Sequence, residues 1–144
     1  MTPADMAQLH HAEPTGYRAW SETEFSTMLS ASNALSVTCD AGFALGQIML
    51  DEAELFLIMT KPEYRRQGIG HRILASFEQQ AFQNAARRIT LEVADTNAAA
   101  RTLYSSNGYQ QIAVRKKYYT FPDGSHADAI VMEKHLQKTA ENTE

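Results

Sequence analysis

The stretch that most constrains the fold is the turn Arg65-Arg66-Gln67-Gly68-Ile69-Gly70. It follows an apolar run, Leu55 to Met59, and opens an amphipathic segment, Ile69 to Ala85. That order reads as strand, tight turn, helix. Gly68 and Gly70 lack a Cβ, so the backbone can take positive φ and let a ligand come close. A helix starting here leaves its first N–H groups unpaired and carries a partial positive charge at that end. Arg65, Arg66 and Arg72 add full charges nearby. Together these features make a pyrophosphate site. Gly-x-Gly alone reads better as a solvated basic loop; the flanking strand, helix and arginines turn the reading toward phosphate.

At 144 residues the chain is expected to form one domain over 1–144, long enough to bury a core. Its one cysteine, Cys39, excludes a disulfide framework and a multi-cysteine zinc site. With no histidine in a recognisable motif beside it, Cys39 reads as a buried or half-buried structural thiol. No metal is expected. No apolar stretch is long enough to span a bilayer, and the N-terminus lacks a signal-peptide core, so a cytoplasmic location is expected. The net charge of −4 argues against nucleic-acid binding and suits a basic substrate.

Thr2-Pro3-Ala4-Asp5 has the composition of a helix start, and Met6 and Leu9 follow on one face. Pro14 and Gly16 are expected to end that helix, and His10 and His11 to lie on its surface. Ser21-Glu22-Thr23-Glu24 is a capping box, followed by Phe25, Met28 and Leu29 at helical spacing. Trp20 before it suits a hydrophobic staple, or the wall of an acceptor groove. Leu35 to Cys39 and Phe43 to Leu50 read as strands around an Asp40-Ala41-Gly42 turn. Glu54 to Thr60, almost continuously apolar, reads as a central strand buried on both faces. Ile69, Ile73, Phe77 and Ala81, with Leu74, mark the buried stripe of the next helix. Ile89, Leu91 and Val93 alternate with Thr90 and Glu92. Thr96 or Asn97 caps a helix over Ala98–Ser106, and Asn107-Gly108 stops it. Tyr109 to Val114 and Ala127 to Glu133 are expected to be the last strands. Tyr118 and Tyr119 would lie in the loop between them, and a polar tail would begin near 136.

Glu92 therefore lies on a strand face that is polar, exposed or functional. Tyr104 lies on the Ala98–Ser106 helix. Taken singly, Glu92 reads as a solvent-facing carboxylate and Tyr104 as a core aromatic. Taken with the phosphate turn, they make a base and an acid: Glu92 removes a proton from an attacking amine, and Tyr104 returns one to a leaving thiolate. A thiol pKa of about 8.5 lets a phenol serve without large tuning.

The turn matches the R/Q-x-x-G-x-G/A pattern of the GNAT superfamily of acetyl-CoA-dependent N-acetyltransferases, which the chain resembles from about Trp20 to Met132. The blocks Leu50-Asp51-Glu52-Ala53, Leu91-Glu92-Val93, Asn97-Ala98-Ala99-Ala100, Leu103-Tyr104, Asn107-Gly108-Tyr109 and Tyr118-Tyr119 are similar to its RimI-like group, protein N-terminal acetyltransferases of bacteria. The resemblance implies an α/β fold with a mixed, mostly antiparallel sheet, splayed at the cofactor site and flanked by helices. Acetyl-CoA would be the co-substrate. Ile58, Met59 and Thr60 would offer backbone groups to its acetyl and pantetheine arm, with the N–H near Met59 polarising the thioester carbonyl. Arg65, Arg66, Gln67, Gly68, Ile69, Gly70 and His71 would form the pyrophosphate site, and Asn97 would bond the pantetheine. Glu92 resembles the general base and Tyr104 the general acid. Tyr118, Tyr119 and Trp20 would wall the acceptor groove. The acceptor implied is the N-terminal alanine of ribosomal protein S18, with no nucleic acid or membrane as partner.

The sequence departs from the pattern in four places. The family's first strand has no counterpart, either because the sheet is shorter or because the start lies upstream. Leu57 replaces a polar residue. Ala94-Asp95-Thr96 replaces Arg-Ala-Ser and so loses an arginine beside the base. Met59-Thr60-Lys61 replaces Ala-Val-Asp or Ala-Val-Glu. Two other readings stay open: an acetyltransferase for small amines, and an inactive acetyl-CoA-binding regulatory module.

Overall fold

The computed structural model describes residues 1–12 and 19–137. The expected stop at Pro14 and Gly16, and the tail beyond residue 137, lie outside them. Helix α1 (Pro3–Ala12) begins as its sequence dictates: Asp5 N–H donates to Thr2 Oγ1 at 3.1 Å, and Thr2 N–H donates to Asp5 Oδ2 at 2.9 Å. Helix α2 (Glu22–Ser30) has both bonds of the capping box, Glu24 N–H to Ser21 Oγ and Ser21 N–H to Glu24 Oε1.

Strands β1 (Ala34–Cys39), β2 (Gly42–Met49), β3 (Glu52–Thr60), β4 (Arg88–Ala94), β5 (Gln110–Thr120) and β6 (His126–His135) form one six-stranded sheet in the order β1-β2-β3-β4-β6-β5. Only β3 and β4 run parallel. Their crossover consists of a 3₁₀ turn (Pro62–Tyr64), the glycine turn and helix α3 (Ile69–Gln83). Helix α4 (Ala98–Ser106) follows β4; Asn97 caps it, its Oδ1 accepting from Ala100 N–H.

Helices cover both faces of the sheet. On one face, Ile73, Leu74, Phe77 and Ala81 of α3 and Tyr104 of α4 pack against Leu55, Ile89, Leu91 and Val93. On the other, Met6, Leu9 and Phe25 pack against Phe43, Leu45, Leu57 and Met59. Strand β3 serves both cores through a bulge. Leu45 pairs with Leu57 and Gly46 with Leu55, so Phe56 is an extra residue. Ala53 and Leu55 face α3 before the bulge; Leu57 and Met59 face α1 and α2 after it.

Five expectations need correcting. Gly42 is a strand residue paired with Cys39, not part of the turn; a Cβ there would lie 2.1 Å from the Met59 carbonyl oxygen. Cys39 is exposed, because β1 is an edge strand and the cysteine sits at its end. His10 is fully buried; its Nδ1 accepts the Trp20 N–H at 3.0 Å, and its ring packs on Phe25. Tyr118 and Tyr119 belong to β5, which continues past Val114 because the chain bulges rather than ends there. Leu136 is held to the body: its N–H donates to Arg87 O, and its side chain packs on the α3 core.

Gly42→Ala is expected to cost about 2 to 3 kcal/mol, because the new methyl meets rigid backbone. At Gly70 a Cβ meets only Leu103, at 3.6 Å, so Gly70→Ala should fold normally. Thermal melts of the two variants side by side test this contrast.

Candidate active site

The site begins where two strands part. Strands β3 and β4 pair from Glu52–Arg88 to Leu55–Leu91 and no further, although β3 continues to Thr60 and β4 to Ala94. The β4-facing edge of Ile58, Met59 and Thr60 thus has no β4 partner. Backbone donors and acceptors left this way are a template for an inserted extended ligand.

At the end of β3 lies the glycine turn. Gly68, the residue preceding α3, has φ 74°, and Arg66 has φ 62°. Left-handed backbone at alternate residues turns successive N–H groups toward one concavity, an anion nest. No side chain caps α3, so the N–H groups of Ile69, Gly70 and His71 face the same space uncovered. Arg65 ties the turn to the strand, its Nε donating to Thr60 O at 3.2 Å. Gln67 and Arg72 brace the turn from within, through Glu63 O and Gln67 O. His71 meets Asn107, the residue ending α4, at 2.9 Å. Among the described residues the Arg66 guanidinium makes no hydrogen bond or ion pair, so this exposed cation is available to an anion in the nest. These features fit a pyrophosphate. Strand end, turn and helix start bring Ile58 through His71 to one end of the parted strands, and Asn97, at the start of α4, follows the end of β4.

On the α1/α2 side lies a cavity of about 190 Å³, lined by Trp20, Glu54, Phe56, Leu57, Glu92 and Tyr118 together with Leu55 and Tyr119. Glu92 reaches it because its neighbours Leu91 and Val93 take the α3 face. Its carboxylate is about one-quarter exposed and pairs with Arg115, Nε to Oε1 at 3.2 Å. An arginine from β5 thus stands beside Glu92. Bulges in β5, between Gln111 and Ala113 and between Arg115 and Tyr119, bring Tyr118 and Tyr119 to the cavity wall. The second bulge is pinned by Asp128, whose Oδ1 accepts the Lys117 N–H at 2.8 Å. That bond, with Lys116 close by, holds the Asp128 carboxyl below its ordinary pKa. Trp20 packs on Phe25, as a hydrophobic staple does, and on Phe56, and it also lines the cavity.

Tyr104 stands on the opposite face. It is 6 % exposed, belongs to the α3 core and lies 5.7 Å from the Tyr109 ring. The neighbouring Tyr109 hydroxyl donates to Glu78; burial and that carboxylate push its pKa up. The candidate base and acid therefore approach from opposite sides of the sheet, and the gap between β3 and β4 lies between them.

Two charged residues escape the sequence reading, Glu54 in the cavity lining and Arg115 as the partner of Glu92. Glu54 is legible only as a carboxylate in an otherwise apolar strand, and Arg115 only after the β5–β6 register is known. Among the described residues no group of three or more histidine, cysteine or acidic side chains is placed to hold a metal, and no helix is long and apolar enough to cross a membrane.

A mixed sheet that opens between two parallel strands, beside a glycine turn and an uncapped helix, defines the acetyl-CoA-binding class of transferase folds. Residues 7–109 match the acetyltransferase (GNAT) family, and the chain belongs to that family. It is 37% identical over 129 residues to the [ribosomal protein bS18]-alanine N-acetyltransferase of Salmonella typhimurium, covering 87% of this chain and 83% of that one. With the enzyme of the same name from Haemophilus ducreyi it shares 38% identity over 94 residues, 65% of each chain. That match spans just under two thirds of the relative's length. The crystal structure of the ribosomal-protein-S18-alanine N-acetyltransferase from Escherichia coli superposes with a TM-score of 0.79 at 34% identity, over 96% of this chain and 88% of that one.

Arg66→Ala should weaken acetyl-CoA binding about tenfold, the effect of losing one charge-assisted phosphate contact. Calorimetric titration with acetyl-CoA measures this; an unchanged affinity would remove Arg66 from the phosphate site.

Proposed function

We propose that this protein transfers the acetyl group of acetyl-CoA to the N-terminal α-amine of a protein, and that its acceptor is the N-terminal alanine of ribosomal protein S18. The observation that carries the reading is the parted pair of strands, with a carboxylate-bearing cavity on one face and a buried tyrosine on the other. Such a gap admits a thioester from the turn side and an amine from the cavity side. The relatives with known names support the choice of acceptor.

Ile58, Met59 and Thr60 hold the acetyl and pantetheine arm by backbone hydrogen bonds, and Asn97 bonds the pantetheine. The residues from Arg65 to His71 hold the pyrophosphate. The Met59 N–H polarises the thioester carbonyl. Trp20, Tyr118 and Tyr119 wall the path of the acceptor. The α-amine attacks the carbonyl carbon directly; a C–N bond forms and the C–S bond breaks. Glu92, paired with Arg115, takes the proton that the amine loses. Tyr104 gives its proton to the departing thiolate from the other face. The cavity is open at the surface and walled by aromatic rings, which suits an extended peptide better than a small enclosed amine.

Glu92→Gln should lower turnover by about 10²-fold or more with little change in acetyl-CoA affinity. Tyr104→Phe should slow the reaction by a comparable factor. Thiol release with a panel of peptides differing in their first residue measures both and tests the acceptor. Acetylation of free amines without any peptide would overturn the reading, and an unaltered rate in either variant would remove that residue from its role.

A further inference from the structure

The turn that joins β4 to α4 has its carbonyl acceptors in use. The carbonyl of Ala94 accepts the Asn97 N–H at 2.9 Å, and that of Asp95 accepts Arg101 Nη1–H at 2.9 Å. The carbonyl of Thr96 accepts the Ala98 N–H, and that of Asn97 accepts the Arg101 N–H, each at 3.1 Å. The Asn97 side chain is half committed: its Oδ1 accepts the Ala100 N–H, which leaves Nδ2 as a donor. Asp95 differs from its neighbours. Its Oδ1 is buried and, among the described residues, has no hydrogen-bond partner. An oxygen buried unpaired destabilises the free protein. The β4–β6 register runs through Ala94–Ala129 and continues in the Asp95 N–H to Asp128 O bond at 2.9 Å. Asp95 therefore keeps step with Leu91 and Val93, on the α3 side of the sheet, where Tyr104 stands.

We infer that Asp95 is a further cofactor-binding residue, whose Oδ1 accepts a hydrogen bond from an amide N–H of the pantetheine arm. The inference rests on the placement of that arm between β3 and β4, as read above. A trans amide carries its N–H and C=O on opposite sides. Each amide of the arm that turns one of these groups to Ile58, Met59 and Thr60 turns the other toward β4 and the turn after it. A carbonyl turned that way has Asn97 Nδ2 as its donor. An N–H turned that way finds the carbonyls of the turn occupied, and Asp95 Oδ1 is the buried acceptor left. Asn97 and Asp95 thus supply a donor and an acceptor on one short turn, the complement of a chain that carries amides. Binding the arm pairs an oxygen that the free protein leaves unpaired, so relief of that cost adds to affinity.

The test is calorimetric titration of the whole protein with acetyl-CoA and with the adenosine bisphosphate fragment of the cofactor, which lacks the arm. Asp95→Ala should weaken acetyl-CoA binding about tenfold, the effect of one lost hydrogen bond, and leave the affinity for the fragment unchanged. Asp95→Asn keeps a carbonyl oxygen as acceptor and should stay within about threefold of the wild type. Without ligand, Asp95→Ala should melt no lower than the wild type, because it removes a buried unpaired oxygen. An affinity of Asp95→Ala for acetyl-CoA equal to or above that of the wild type overturns the inference alone. A lower melting temperature, or an equal loss for both ligands, marks Asp95 as part of the turn's structure and overturns it as well. Wild-type protein that binds neither ligand overturns the cofactor placement and this inference together.

Discussion

Strands β3 and β4 hydrogen-bond as far as Leu55 and Leu91 and then separate. Every feature of the candidate site depends on that separation. A continuous ladder would satisfy the backbone of Ile58, Met59 and Thr60 and leave a ligand nothing to bind. The strands can part because each is held from its other side. Strand β3 stays paired to β2 as far as Thr60, and β4 to β6 as far as Ala94. The bulge at Phe56 lets β3 change its facing residues just as it leaves β4, so Leu57 and Met59 are buried under α1 and α2. The opening is thus supported by packing outside it.

The opening also joins two environments. On the α3 face the surroundings are apolar and closed, with Tyr104 beside Tyr109 and the Glu78–Lys134 pair beyond. On the other face lies a charged, aromatic cavity open to solvent. Glu92 and Tyr104 thus lie on opposite faces of the sheet.

Much of this was legible because the signals are local. The capping box at Ser21, the stripe from Ile73 to Ala81 and the Asn97 cap each lie within a few residues and form as read. Alternation along Ile89–Val93 places Glu92 opposite the apolar core without any knowledge of what covers it. His10 was misread because burial of a polar ring depends on a distant partner, the Trp20 N–H. Cys39 was misread because its exposure follows from the edge position of β1. Tyr118 and Tyr119 were placed in a loop because bulges interrupt the alternation by which a strand is recognised.

The sequence by itself determined the strand-turn-helix unit from Leu55 to Gln83, the glycine geometry of its turn and the identities of Glu92 and Tyr104. Those follow from backbone conformation and short-range periodicity, which need no partner. Tertiary structure alone decided where the β3–β4 ladder ends, that Arg115 pairs with Glu92, and that Glu54 and Glu92 line one cavity. These are matters of register between strands tens of residues apart, and register is set by how whole faces pack.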